Sequence, residues 1–261
     1  KFTWKNFSAE EQAKILASDR SNNLLDTNKL TSLYPNVKPI KQAIKDVLIN
    51  YNKQDYSENI LKTYKILNNN KIKNLLVTGG CGFIGSNFIN KIYYHYTDVN
   101  IINFDALYYC ADINNIKKDI QNSTRYTFIK GNLQSYDLVS HVINNYNIDT
   151  VIHFAAQSHV QNSFKDALQY THDNILGTHN LLECCRIYGK INKFIHVSTD
   201  EVYGQSLLDT NENKKTEQSV LCPTNPYAAT KAGAELIVQS YIHSFKMPII
   251  ISRGNNVYGP N

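Results

Sequence analysis

The sequence predicts an α/β protein built on a doubly wound parallel sheet, preceded by a short helical segment. Three observations predict it. Six short apolar runs recur from position 75 onward, separated by stretches long enough for helices. A cluster of glycines stands where the first of these runs gives way to the next segment. Residues 1 to about 72 have a different texture, rich in Lys, Asn and Leu and free of glycine.

In order along the chain, Ser8-Ala9-Glu10-Glu11 reads as a capping box that opens a helix running to about Ser18, because Ser8 and Glu11 can each satisfy the other's backbone amide. Asp26 can cap a short helix through Leu30 and Leu33, and Ile40, Ala43, Ile44, Val47 and Leu48 keep helical spacing. Residues 1–52 are thus a helical tail, and residues 53–72, ending in Asn68-Asn69-Asn70-Lys71, read as a linker despite the helical spacing of Ile60, Leu61, Tyr64 and Leu67. The strand candidates follow at Leu75–Thr78, Ile101–Phe104, Tyr126–Ile129, Val151–Phe154, Phe194–Val197 and Ile249–Ser252, with helical stretches of about 12 to 25 residues between them. Strand, helix, strand at this spacing means right-handed crossovers and a sheet covered on both faces, a domain spanning residues 73–261. The polar patch from Leu208 to Gln218 reads as a surface loop.

Composition narrows the function. The 261 residues are 42% hydrophobic and 19% charged, as in ordinary globular proteins. The net charge of +5 is spread along the chain, which argues against nucleic acid as a partner. No apolar run approaches the roughly 18 residues of a membrane span. Five cysteines without CxxC spacing imply neither a disulfide framework nor a zinc site; no metal is expected, and with no leader-like segment the expected location is cytoplasmic.

The first strand runs into Thr78-Gly79-Gly80-Cys81-Gly82-Phe83-Ile84-Gly85. Glycines at 79, 82 and 85, or at 80, 82 and 85, let the backbone turn tightly and approach a pyrophosphate at a helix N-terminus. Asp105 ends the second strand 20 residues beyond Gly85, where a carboxylate can hold the ribose hydroxyls of NAD and disfavours the extra phosphate of NADP. This makes the domain a Rossmann-type NAD-binding fold. The bland reading is a glycine-rich turn beside a solvated Asp. Beyond the other strand ends lie His153-Phe154-Ala155-Ala156-Gln157-Ser158-His159, whose small residues let a cofactor pass, then Ser198-Thr199-Asp200-Glu201-Val202-Tyr203-Gly204, then Asn225-Pro226-Tyr227 with Lys231. Tyr227 and Lys231 are one helical turn apart, and an ammonium there is expected to lower the phenol's pKa toward neutrality.

Taken with Ser252-Arg253-Gly254-Asn255-Asn256-Val257-Tyr258-Gly259-Pro260, these segments resemble the extended short-chain dehydrogenase/reductases, and more narrowly the nucleotide-sugar 4,6-dehydratases acting on dTDP-glucose or UDP-glucose. The resemblance implies catalytic roles for Thr199, Asp200, Glu201, Tyr227 and Lys231. It implies cofactor contacts from Gly79, Gly82, Phe83, Ile84, Gly85, Asp105, Asn132, Leu133, Phe154, Ala155, Ala156, Ser158, Tyr227 and Lys231. Sugar contacts are implied for Ser158, His159, Thr199, Asn255 and Asn256, with a nucleotide-activated glucose as partner. By the family's mechanism Tyr227 takes the proton of the 4-hydroxyl as hydride leaves C4 for NAD+. Glu201 then abstracts the C5 hydrogen, Asp200 protonates the departing 6-hydroxyl, and hydride returns to C6. The family also implies a homodimer formed through helices near 164–188 and 226–245, and a substrate domain continuing past Asn261, so this chain alone is expected to turn over poorly.

Two positions depart from the family. Asn132 stands where Asp is usual at an adenine-contacting position, and is expected to alter cofactor binding without abolishing it; Gln161 replaces another common Asp. His153, His159 and His196 read as packing or supporting residues, and Cys81 as a small residue rather than a redox thiol. Phe2–Phe7, Glu10–Ala13 and Arg20–Asp26 resemble the carboxyl-terminal end of the 3,5-epimerase/4-reductases of nucleotide-rhamnose synthesis, which implies a fusion enzyme; the alternative is an unrelated helical appendage. The competing functions are a UDP-sugar 4-epimerase or decarboxylase of the same superfamily, or a non-catalytic NAD-binding scaffold.

Overall fold

The computed structural model describes residues 72–205 and 214–259. The helices expected over residues 1–52, the linker to residue 71 and the first half of the Leu208–Gln218 loop lie outside the described residues; Lys214 to Gln218 are exposed and follow no regular element.

Six strands form one parallel sheet: β1 (Asn74–Thr78), β2 (Asn100–Asp105), β3 (Tyr126–Lys130), β4 (Thr150–His153), β5 (Lys193–Thr199) and β6 (Ile249–Gly254). Each sits on an apolar run predicted from the sequence. Their order across the sheet is β3-β2-β1-β4-β5-β6. The chain builds outward from β1 on one side, then returns to build outward from β4 on the other, so a crevice opens between the carboxyl ends of β1 and β4.

Long helices cover the strands: α1 (Phe83–His95), α3 (Tyr136–Asn145), α6 (Gly177–Tyr188) and α7 (Pro226–Phe245). On one face Leu76, Ile102, Val151 and Phe194 from the strands pack with Val142 and Ile143 of α3, Leu181 and Leu182 of α6, and Val238 of α7. Alternate strand positions such as Leu75, Val77 and Ile101 are buried too, with Ile89 of α1, so β1 and β2 are covered on both faces, whereas the edge strand β6 leaves alternate positions exposed. Phe194 is fully buried at the centre, where truncation to Ala costs about 3–5 kcal/mol.

Two connections differ from the expected long helices. Between β2 and β3 there is only a 3₁₀ turn (Ile113–Asn115) and a single turn of helix, α2 (Lys118–Gln121). Polar side chains take over the backbone there: the Asp112 carboxylate accepts from Asn114 N at 2.8 Å, Asn115 Nδ2 donates to the Cys81 carbonyl at 2.9 Å, and Gln121 Nε2 donates to two carbonyls. Between β4 and β5 the stretch 164–188 is not one regular helix. After the single turn α4 (Val160–Ser163) it runs through α5 (Ala167–Tyr170), a wider π-helical turn (Thr171–Leu176) and then α6. Asn174 in that turn is buried, donating to the Gln157 carbonyl at 3.0 Å and to Thr230 Oγ1 at 2.9 Å while accepting from Gln157 N at 2.7 Å. That one side chain ties the loop after β4 to α7. Such turns gather at functional sites.

Candidate active site

A cleft of about 310 Å³ lies over the carboxyl ends of β1, β2, β4 and β5. Every residue the sequence nominated for cofactor contact lines it, from Gly79 through Asp105, Asn132 and Ala155 to Tyr227 and Lys231. Gly79 has φ of +71°, and a Cβ on it would stand 2.6 Å from Ala155 N, so only glycine fits. Of the two possible glycine sets, 79, 82 and 85 face the cleft, whereas Gly80 packs against Asn103 and Ile89. A Cβ at Gly82 would meet nothing nearer than the Gly79 carbonyl at 3.5 Å; the space it leaves belongs to the cleft. Gly82 also begins α1 with no side-chain cap, so the first amides of that helix keep their hydrogen-bonding capacity for an anion.

The Asp105 carboxylate is buried and accepts from Cys81 N and Leu107 N, each at 2.8 Å, which fixes its orientation at the edge of the cleft. Ser198 Oγ, also lining the cleft, is buried with no hydrogen-bond partner among the described residues. A phosphate cradle at a helix N-terminus, an oriented carboxylate at the end of β2 and an unsatisfied hydroxyl further along fit a dinucleotide.

Of the candidate catalytic residues, Tyr227 and Lys231 line this cleft, whereas Thr199, Asp200 and Glu201 follow the lining residues Val197 and Ser198 along the chain without lining it themselves. Thr199 ends β5 and caps the 3₁₀ turn Asp200–Tyr203: its hydroxyl accepts from Glu201 N at 3.2 Å and donates to Asp200 Oδ1 at 3.3 Å. Asn225 caps α7 by accepting from Ala228 N at 2.8 Å, and its Nδ2 donates to Glu201 Oε2 at 3.0 Å. The same cap therefore starts the helix bearing Tyr227 and holds the neighbouring carboxylate. Tyr227 and Lys231 are both buried on the cleft side of α7.

The expected charge relationship within the pair does not hold. The Tyr227 phenol is pushed up to about 12, first by burial and then by the Glu201 carboxylate, against a hydrogen bond with the Thr199 hydroxyl that acts the other way. The reason is where the ammonium points: Lys231 Nζ donates to the Val197 carbonyl at 2.8 Å rather than to the phenol. Burial pulls Lys231 itself down to about 8, with Glu235 opposing.

Of the five nominated sugar contacts only Ser158 lines the cleft, and Thr199 lies next to its lining residue Ser198. His159 is exposed and caps α4, and Asn255 and Asn256 are exposed beyond β6. His153 is held between Thr78 Oγ1 at 2.7 Å and Thr178 Oγ1 at 2.9 Å, and burial pulls it down to about 3, so it is neutral. His196 stacks 5.3 Å from it and is lowered by the same cause. The Cys81 thiol is buried and pushed up to about 12, first by burial and then by Asp105, so it is no thiolate. Cleft residues that the sequence did not nominate include Tyr108, Gln157, Asp173 and Ser198. For Asn225 a signal existed, since Asn followed by Pro marks a helix start.

The model of the family described as GDP-mannose 4,6 dehydratase matches residues 76–261. This chain belongs to that family. It is similar to a trifunctional UDP-glucose 4,6-dehydratase/UDP-4-keto-6-deoxy-D-glucose 3,5-epimerase/UDP-4-keto-L-rhamnose-reductase of Arabidopsis thaliana, 50% identical over 191 residues, covering 73% of this chain and 28% of that protein. A dTDP-D-glucose 4,6-dehydratase of Dictyostelium discoideum is 47% identical, covering 72% and 45%. Among solved structures, dTDP-glucose 4,6-dehydratase of Bacillus anthracis in complex with NAD is 39% identical with a TM-score of 0.64, covering 72% of this chain and 56% of that one. The chain thus spans from about a quarter to about half of the dehydratase-family proteins it matches. The resemblance to the extended short-chain dehydrogenase/reductases read from the motifs is borne out, as is the Rossmann-type fold.

Proposed function

We propose that this dehydratase-family chain binds NAD and converts a nucleotide-activated glucose, on UDP or dTDP, to the 4-keto-6-deoxy sugar. One observation carries the reading: the Thr199-capped turn presents Asp200 and Glu201 together, and Asn225, which caps the helix bearing Tyr227, holds the Glu201 carboxylate at 3.0 Å. A 4-epimerase has no water to remove and needs no such acid and base, and a scaffold needs none of these residues.

Bound NAD+ would supply the hydride acceptor for C4 and return that hydride to C6. Gly79, Gly82 and Gly85 would seat its pyrophosphate against α1, and Asp105 its ribose. Tyr227 would accept the 4-hydroxyl proton, with Thr199 bonded to the same oxygen. Burial holds the phenol protonated, so it could take the 4-hydroxyl proton only after releasing its own to solvent, and Lys231, one helical turn away, would stabilise the phenolate once its ammonium turned from the Val197 carbonyl. Glu201, oriented by Asn225, would take the C5 hydrogen made acidic by the 4-ketone, and Asp200 would protonate the leaving 6-hydroxyl.

The whole protein would be a homodimer, supported by the exposed Leu168, Ile187, Leu236 and Phe245 along α5, α6 and α7. Residues 1–52 would be the end of a reductase and the parent a fusion enzyme of nucleotide-rhamnose synthesis, in keeping with the three activities named for the Arabidopsis relative. A cytoplasmic location is consistent with five unpaired cysteines; among the described residues no helix is long and apolar enough to cross a membrane.

The test is Asp200→Asn and Glu201→Gln. Each is expected to lower dehydration of nucleotide-glucose by about 10²–10⁴-fold with NAD affinity unchanged. Dehydration at the unaltered rate in both variants would refute the assignment.

A further inference from the structure

Between the end of β1 and the start of α7 runs a set of buried polar side chains that the reaction above does not use. His153, which ends β4, lies between two hydroxyls, with Thr78 Oγ1 at 2.7 Å from its Nδ1 and Thr178 Oγ1 at 2.9 Å from its Nε2. The directions of these bonds follow from counting hydrogens. A threonine hydroxyl has one, and Thr178 gives its own to the Asn174 carbonyl at 2.6 Å. Toward His153 it can therefore only accept, so Nε2 carries the imidazole hydrogen. Burial keeps the ring neutral, which leaves Nδ1 without a hydrogen, and Thr78 donates to it.

The bonds continue on both sides of the ring. Thr78 stands directly before Gly79, the cradle glycine packed so closely on Ala155 that no Cβ fits. On the other side Asn174 Nδ2 donates to Thr230 Oγ1 at 2.9 Å, and Thr230 donates to the Tyr227 carbonyl at 2.8 Å. Thr78, His153, Thr178, Asn174 and Thr230 are all buried. A buried network in which each hydroxyl and ring nitrogen has its partner holds one arrangement, because turning any member strands a polar group.

Hydride transfer needs the cofactor, seated by the cradle, and the phenol, carried by α7, in register on one sugar, and an error of about 1 Å can cost about 100-fold in rate. We propose that His153, as its Nε2–H tautomer, is a positioning residue that sets Tyr227 in register with the cofactor cradle. The inference rests on the NAD cleft and on the role given to Tyr227 above.

Turnover of the purified whole protein, its substrate domain included and NAD bound, tests it through Thr178. Thr178→Val keeps the shape of the side chain without its hydroxyl. It is expected to lower kcat by about tenfold or more while KM for nucleotide-glucose and NAD affinity stay within about twofold. Thr178→Ser keeps the hydroxyl and should bring kcat back to within about twofold of the unaltered protein. An unchanged kcat in Thr178→Val, with stability lost, would overturn the inference in favour of a purely structural role, and so would an equal loss of kcat in Thr178→Ser. Nitrogen-15 NMR of the unaltered protein labelled at histidine, with His153→Gln used for assignment, reads the tautomer directly. The proton is expected on Nε2, and a proton on Nδ1 would overturn the inference whatever the kinetics. No turnover by the unaltered protein would overturn the reading of Tyr227 and this inference with it.

Discussion

At Lys231 burial pulls the ammonium down from the ordinary 10.5 to about 8, so the folded chain carries its charge near neutrality against the preference of its surroundings. Between pH 8 and 10.5 the unfolded chain holds this proton and the folded chain does not, so this group makes stability rise with pH across that window; below 8 its penalty is whole. Lys231→Met is therefore expected to stabilise the protein at pH 7 by about 2 kcal/mol, roughly 3 from the shift less about 1 for the Val197 carbonyl left without its donor. Denaturant unfolding at pH 7 and pH 9.5 checks it, with the gain shrinking at the higher pH; destabilisation at pH 7 would contradict it. At this scale the sequence was read correctly where spacing along one element sufficed, as for Tyr227 with Lys231 or Asp105 at a strand end. It was misread where the outcome depended on where a side chain points. Whether Lys231 meets the phenol or the Val197 carbonyl is decided by β5, which lies in another segment of the chain.

Among the elements, β6, α7 and the 3₁₀ turn after β5 are joined by Arg253. Its guanidinium forms a bidentate pair with Glu235 of α7 at 2.7–3.1 Å, donates to the Tyr203 hydroxyl at 2.7 Å and lies 4.8 Å over the Tyr203 ring. Glu235 is fully buried, so removing its partner strands a charge. Arg253→Met is expected to destabilise by about 3–5 kcal/mol, and Glu235→Gln in the same chain to recover much of that loss. Because Tyr203 ends the turn carrying Asp200 and Glu201, the double variant should regain stability while kcat stays depressed. Unfolding curves and turnover on the two variants measure both, and full recovery of kcat would separate Arg253 from the site. The six strands and α7 were legible because each is a local pattern of apolar residues and caps. The π-helical turn was not, because it exists through the grip of Asn174 on Gln157 and Thr230, residues 17 and 56 positions away.

For the whole molecule, the strand order places the reversal of the sheet at β1 and β4, and the cleft lies there with the phosphate cradle at one side and Tyr227 at the other. The glycine motif, the acid pair and Tyr227 are far apart in sequence, and the parallel topology alone brings them to one edge. The central claim is that hydride removed at C4 returns at C6 of the same sugar. UDP-glucose and dTDP-glucose carrying deuterium at C4 should be given separately to the purified whole protein, its substrate domain included, with NAD bound and no added reductant, and the products followed by NMR. The account predicts a 4-keto-6-deoxy sugar whose C6 methyl group carries the deuterium. A galactose-configured product with deuterium still at C4, or no reaction while NAD is firmly bound, would contradict it.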